Sequence, residues 1–267
     1  MAIRSILFDL DDTLAIEGAS ADAAFLATCA HAHKTYGINP KGLHKAVRSH
    51  ARELWCASAT ITYCRAIGIG SWEGLWARFL GNDPNLKRLR RWAPVYRRET
   101  WFRALADYGV QDLTFTEQLS AIFMSERRTR HIVFPDVEDN LTTLQKTYQL
   151  ALVTNGAPDL QREKIQGARL GQYFDEILIS GEVGVGKPDF RIFKLALDML
   201  AASPSEVVMV GDSLVRDILG AQRAGIKGIW LNRSGCDLTS SVVPDAQVTS
   251  LNPISELLPT LVNMTGI

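Results

Sequence analysis

The chain has 267 residues, 46% of them apolar and 22% charged, enough for one large domain or for a core with a smaller partner domain. Lys plus Arg and Asp plus Glu number 29 each, a formal net charge of zero. That balance argues against nucleic acid or an anionic membrane as the main partner, because both select for a basic surface. The cysteines Cys29, Cys56, Cys64 and Cys236 are too scattered for a zinc or redox pair, and reduced thiols are expected. The opening MAIRSILFDLDDT is too short and too acidic for a secretory segment, and no run approaches the ~20 apolar residues of a membrane helix. A cytoplasmic location is expected.

In chain order, residues 3–8 form a brief apolar run that ends in Asp9-Leu10-Asp11-Asp12-Thr13. A buried parallel strand reads this way: apolar throughout, then polar at its carboxyl end. From about Gly18 to Ile132 the pattern becomes helical, with AFLATCAHAHKTYG, KGLHKAVRSHARELWCA, WEGLWARFLG and RETWFRALADYG separated by Gly37, Gly68, Gly70, Gly81-Asn82-Asp83-Pro84 and Gly109. Pro135 marks a return to strand–helix alternation. Strands are predicted at 149–156, 175–180, 206–213 and 227–232, with helices over 136–146, 159–170, 190–200, 217–224 and 254–262. Such alternation predicts an α/β fold: a three-layer, Rossmann-like core with a mainly parallel sheet, into which an α-helical domain is inserted after the first strand. The expected boundaries are 1–17 and 133–267 for the core and 18–132 for the insert.

In an open α/β sheet, ligands bind beyond the carboxyl ends of the strands. Here those ends carry Asp9, Asp11 and Thr13, then Thr154 and Asn155, then Lys187 in Gly184-Val185-Gly186-Lys187-Pro188, then Asp212 and Ser213 with Asp217 further on. Carboxylates gathered at one point repel and cannot all stay ionised without a cation. Oxygen ligands without His or Cys suit Mg²⁺, and a lysine and a hydroxyl suit the oxygens of a transferring phosphoryl group.

With these residues in place, the sequence resembles the haloacid dehalogenase superfamily, in the phosphatase branch whose helical cap follows the first motif. The motifs stand in order: Asp9-Leu10-Asp11-Asp12-Thr13, Thr154, Lys187 in GKPD, and Gly211-Asp212 with Asp217. The match covers the core, about 3–15 and 134–260, and the cap only in position and helical character. The resemblance implies a phosphoric monoester hydrolase acting on a small phosphate ester. Asp9 is then the nucleophile that forms an aspartyl-phosphate, and Asp11 the acid and base. Thr13 holds Asp11 by a hydrogen bond. Mg²⁺ sits among the Asp9 carboxylate, the Asp11 carbonyl and Asp212, with Asp217 binding through water or orienting its shell. Thr154, the Asn155 backbone N–H and Lys187 grip the phosphoryl oxygens. A monomer or homodimer is the expected assembly.

Other readings compete. Asp9 and Asp11 could be turn residues, Thr154 a helix cap, Lys187 a solvated loop residue and Asp217 a dipole-favoured helix start. Four motifs in order outweigh these. Asp12 is expected to serve the turn. His31, His33, His44, His50 and His131 lack metal spacing, and Trp55, Trp72, Trp76, Trp92 and Trp101 read mainly as core. The basic stretch Lys87, Arg88, Arg90, Arg91, Arg97, Arg98 reads as a solvated face, with the alternative that one arginine reaches a distal anionic group of the substrate. A phosphomutase shares all the motifs. A 2-haloacid dehalogenase or a phosphonate-cleaving enzyme using Lys34, Lys41, Lys45 or Lys87 has no need of Asp11. A phosphate-binding scaffold has no reason to keep the whole acid set.

Overall fold

The computed structural model describes residues 2–238 and 241–261. The chain divides into two compact units: an α/β unit of Met1–Ile16, Val133–Asn155 and Ile165–Ile267, and a helical unit of Glu17–Ile132 with Gly156–Lys164.

The α/β unit is built on strands β1 (Ser5–Phe8), β2 (Gln149–Thr154), β3 (Glu176–Ile179), β4 (Val207–Gly211), β5 (Lys227–Leu231) and β6 (Ala246–Val248). They form one parallel sheet in the order β3-β2-β1-β4-β5-β6. Strand β1 is central, with Ser5 level with both Gln149 and Val207. The sheet grows one way from β1 through β2 and the other way through β4, so the topological switch lies between β1 and β4. Side chains alternate between two cores. Ile6, Phe8, Leu150, Leu152, Val208 and Val210 enter one, and Leu7, Ala151, Val153, Val207 and Met209 the other. Burial on both faces is why the central strands β1 and β4 read as nearly continuous apolar runs.

The predicted Rossmann-like α/β class is what the sheet shows. Strand β6 was not expected, since AQV is only three residues long. The helix expected over 254–262 is Ile254–Leu261, Val262 lying outside the described residues.

The helical unit carries α1 (Glu17–Tyr36), α2 (Pro40–Cys56), α3 (Ile61–Ile67), α4 (Ser71–Gly74), α5 (Pro84–Ala106) and α6 (Leu113–Arg128). Asn39 and Asp83 cap α2 and α5, each followed by proline at the first helical position, and Asp112 caps α6. Its core gathers Phe25, Val47, Trp55, Trp76, Leu89, Tyr96, Trp101 and Phe123, with Ala157 and Leu160 from the returning segment. Trp55, Trp76 and Trp101 are buried, as the core reading expected.

Two segments differ from expectation. Helix α6 was not anticipated, and WEGLWARFLG is helical only as far as Gly74. Beyond Gly74 the backbone is held open by side chains. The Arg78 and Leu80 amides donate to Asp159, Arg90 donates to the Phe79 and Gly81 carbonyls, and Arg97 to those of Gly74 and Ala77. Arg90 and Arg97 are thus occupied with the fold rather than forming a solvated face.

A charged cluster lies buried in this unit. Arg127 donates to both oxygens of Glu17 at 2.9 Å, and Lys164 lies 2.9 Å from Glu17 and 3.4 Å from Glu73. All four side chains are at least nine-tenths buried. Arg127 also lies over the Trp76 ring, 4.7 Å from its centroid. Buried ions persist only when paired in this way.

Candidate active site

The carboxyl ends of β1, β2 and β4 converge with the segment that follows β3. After β3 the chain makes a single helical turn, Ser180–Val183, and then runs through Gly184 to Lys187. The β1 loop turns sharply, with Asp12 at φ 59° donating its amide to the Ala15 carbonyl at 2.7 Å. Asp tolerates this left-handed geometry better than most residues, so Asp12 serves the turn as expected.

Lys187 is the centre of the site. Its Nζ lies 2.5 Å from Asp9 Oδ1 and 2.7 Å from Asp217 Oδ1, with the lysine and Asp217 side chains almost wholly buried. Its backbone is fixed by Asn155, whose side chain donates to the Lys187 carbonyl and accepts from the Lys187 amide, both at 2.8 Å. Sequence reasoning assigned Asn155 only its backbone N–H, and the side-chain pairing was missed. An amide that can both donate and accept is the signal that could have suggested it.

Thr13 corrects an expectation. Its hydroxyl donates to Asp9 Oδ2 at 3.3 Å and accepts from the Asp212 amide at 3.0 Å. It therefore ties β1 to β4 and orients Asp9, whereas the sequence reading had it hold Asp11. The reason is geometric: β1 and β4 are adjacent, so a side chain two residues beyond Asp11 meets the neighbouring strand end.

Asp217 does not open a regular helix. It sits in a π-helical turn, Leu214–Leu219, whose first cap is Ser213, and its Oδ2 accepts from the Ser213 amide at 2.9 Å. Such turns concentrate at functional sites. Gly211 makes room for it: a Cβ there would lie 2.5 Å from Asp217 Cγ. Asp212 follows β4, and its carbonyl accepts from Trp230 Nε1 at 2.8 Å. Thr154 is the buried last residue of β2.

Burial pushes the Asp9 carboxyl up to about 6; Lys187 opposes this, and Asp217 and Asp11 add to it. Asp212 rises to about 8 through burial and then through Asp9 and Asp217. Burial alone would lower Lys187, but Asp217 and Asp9 outweigh it and hold the ammonium above its usual range. One ammonium thus faces more carboxylate than it can balance.

Candidate ligand oxygens of Asp9, Asp212 and Asp217 all lie within 4.8 Å of one another. An all-oxygen, acid-rich set with a charge deficit fits a hard divalent cation. Asp9, Asp11, Asn155, Lys187, Asp212, Arg216 and Asp217 enclose a cavity of about 40 Å³. That is room for an ion or a few small atoms, not for a metabolite. Arg216 was not singled out in the sequence, because nothing in its spacing separates it from an ordinary exposed arginine.

A family model described as haloacid dehalogenase-like hydrolase matches residues 3–225. The chain belongs to the haloacid dehalogenase-like hydrolase family. Among curated relatives of this hydrolase, the phosphoserine phosphatase of Thermus thermophilus is 36% identical over 94% of this chain and 98% of its own length. The N-acylneuraminate-9-phosphatase of Mus musculus is 37% identical over 62% of this chain and 68% of its own. The chain is an enzyme, a phosphoric monoester hydrolase of this family. Among solved structures, a 2-haloacid dehalogenase from Pseudomonas syringae superposes with a TM-score of 0.61 at 28% identity, covering 96% of this chain and 98% of that one. A family hydrolase from Bacillus subtilis bound to magnesium gives 0.64 at 21% identity, over 97% and 99%, and shares the fold.

Proposed function

We propose that the enzyme hydrolyses a small phosphorylated metabolite with Mg²⁺ bound, through an aspartyl-phosphate on Asp9. One observation carries this reading. The Asp9 carboxylate, at the end of the central strand, touches Lys187 and stands within 4.8 Å of Asp212 and Asp217.

An Asp9 oxygen attacks phosphorus and forms the Asp9–phosphoryl bond as the ester P–O bond breaks. Asp11 gives its proton to the departing oxygen, then as a carboxylate takes one from the water that attacks phosphorus. Asp9 is released as a carboxylate together with inorganic phosphate. Thr13 holds Asp9 in line for the attack. Lys187, Thr154 and the Asn155 backbone N–H hold phosphoryl oxygens. Asp9, Asp212, the Asp11 carbonyl and Asp217 would hold Mg²⁺, which supplies positive charge against the transferring group.

The cavity takes only the reacting end of an ester, so substrate choice rests with residues outside it. The helical unit corresponds to the family's cap, and we assign selection to it. The core then comprises 1–17 and 133–267, with Glu17 and Gly156–Lys164 packing in the helical unit. Among the described residues no helix is long and apolar enough to cross a membrane. We read the enzyme as a cytoplasmic monomer or homodimer.

The 28% identity to a 2-haloacid dehalogenase favours a second reading, displacement of halide from carbon. Asp11 speaks against it, since a halide leaves without a proton. The test is phosphate release from a panel of esters, including phosphoserine and N-acylneuraminate 9-phosphate, with Mg²⁺ or EDTA, for wild type and Asp9→Asn. Metal-dependent release that vanishes in Asp9→Asn is expected. Chloride release from a 2-haloacid without phosphate release would overturn the proposal.

A further inference from the structure

Helix α2 has a charge pattern that its own stability disfavours. Lys41, Lys45, Arg48 and Arg52 fall at i, i+4, i+7 and i+11, which places them in one stripe along the helix. Like charges at this spacing repel. Lys41 also lies in the first turn, where the helix dipole disfavours a cation, and that turn holds no acid. Glu53, the helix's own carboxylate, faces His50 and Arg103 instead.

The stripe lines a groove of about 630 Å³ together with Gly18 and Asp22 of α1 and with His44 and Ser49 of α2. Four cations face one carboxylate there. Arg48 is held firmly, 2.5 Å from Asp22 and 2.9 Å from His44 Nε2, with its guanidinium 5.0 Å from the Phe25 ring centroid. His44 is stacked on Phe25, its Nε2 accepts from Arg48 Nε, and burial and then Arg48 keep its ring below its usual pKa. Lys41, Lys45 and Arg52 are exposed and form no ion pair among the described residues. The groove therefore presents one oriented guanidinium and three uncommitted cations, spread over roughly 16 Å at the helical rise.

We propose that this groove binds a small oligoanion, a molecule with two or more phosphate or carboxylate groups spaced along its length. Oriented guanidinium and adaptable ammonium groups together suit such a ligand.

The probe is inorganic tripolyphosphate, titrated calorimetrically into full-length Asp9→Asn protein with EDTA present, so that neither turnover nor a metal contributes. The comparison is the same protein carrying Lys41→Gln, Lys45→Gln and Arg52→Gln. These positions are exposed, and circular dichroism checks that the fold is kept. Saturable binding that weakens about tenfold or more in the triple variant, and weakens with salt, is expected. Equal affinity in the two proteins, or no binding at millimolar probe, overturns the proposal.

A second arm identifies the source of the anion, using the triple substitution on an otherwise wild-type chain. Loss of kcat/KM on a sugar bisphosphate but not on p-nitrophenyl phosphate makes the oligoanion the far end of the substrate. Unchanged kinetics on both, with tripolyphosphate binding lost, makes it a separate molecule. Either result keeps the site.

Discussion

Lys187, Asp217 and Gly211 depend on one another. The lysine is buried between two carboxylates, and Asp217 reaches it only because residue 211 lacks a side chain. Gly211→Ala would set a methyl group 2.5 Å from the Asp217 carboxyl carbon and force that carboxylate away from Lys187. A misplaced group in a site of this kind costs about tenfold to a hundredfold in rate. We expect kcat/KM for the best ester to fall by at least about tenfold, with the overpacking lowering stability by about 1–3 kcal/mol in urea denaturation. Unchanged turnover would mean that the Lys187–Asp217 pair has no part in the reaction. Thr13 carries a lesson at the same scale: a motif names a residue, whereas the neighbouring strand decides its partner.

The helices of the helical unit begin where short polar residues take up the first free amides. Asp83 accepts from the Asn85 and Leu86 amides at the start of α5. Asp83→Ala would remove that cap at a cost of about 1 kcal/mol. A lower urea midpoint with unchanged slope is the expected reading, and an unchanged midpoint would mean that another group takes over the amides. Elements with this kind of local logic were legible in sequence. The five longer strands, the helix over 190–200 and the glycine stops are written in nearby residues. The loop 75–83 was not, because its conformation is imposed by Arg90, Arg97 and Asp159 from elsewhere in the chain. The acids, hydroxyl and lysine of the site were legible as types at strand ends. Their pairings were not, because those depend on which strands adjoin, and β1 lies between β2 and β4.

On the scale of the molecule, the helical unit is not a simple insertion. The chain enters it at Glu17, leaves after Ile132, and returns for Gly156–Lys164. That return brings Ala157 and Leu160 into the apolar core and Lys164 into the buried charge cluster with Glu17 and Glu73. A fragment of residues 17–132 lacks all three. Removing one partner of a buried charge cluster costs about 3–5 kcal/mol, a large share of a small domain's stability. The fragment is expected to show poor amide dispersion by NMR. Fusing residues 156–167 to it through a flexible linker is expected to restore a cooperative urea transition. A well-dispersed fragment without the addition would show that the returning segment is dispensable.

The central place of β1 also governs when the enzyme comes into being. Strand β1 leaves the ribosome well before its two partners, which lie at 149–154 and 207–211. Loops of that length close slowly, and parallel pairing adds to the delay. Until β4 has been synthesised, one edge of β1 has no neighbour, and Asp9 has no Asp212 beside it. A partly made chain is therefore both inactive and open to wrong strand pairing. Among the six described strands, the one that leads into the proposed nucleophile is made before its neighbours and completed late.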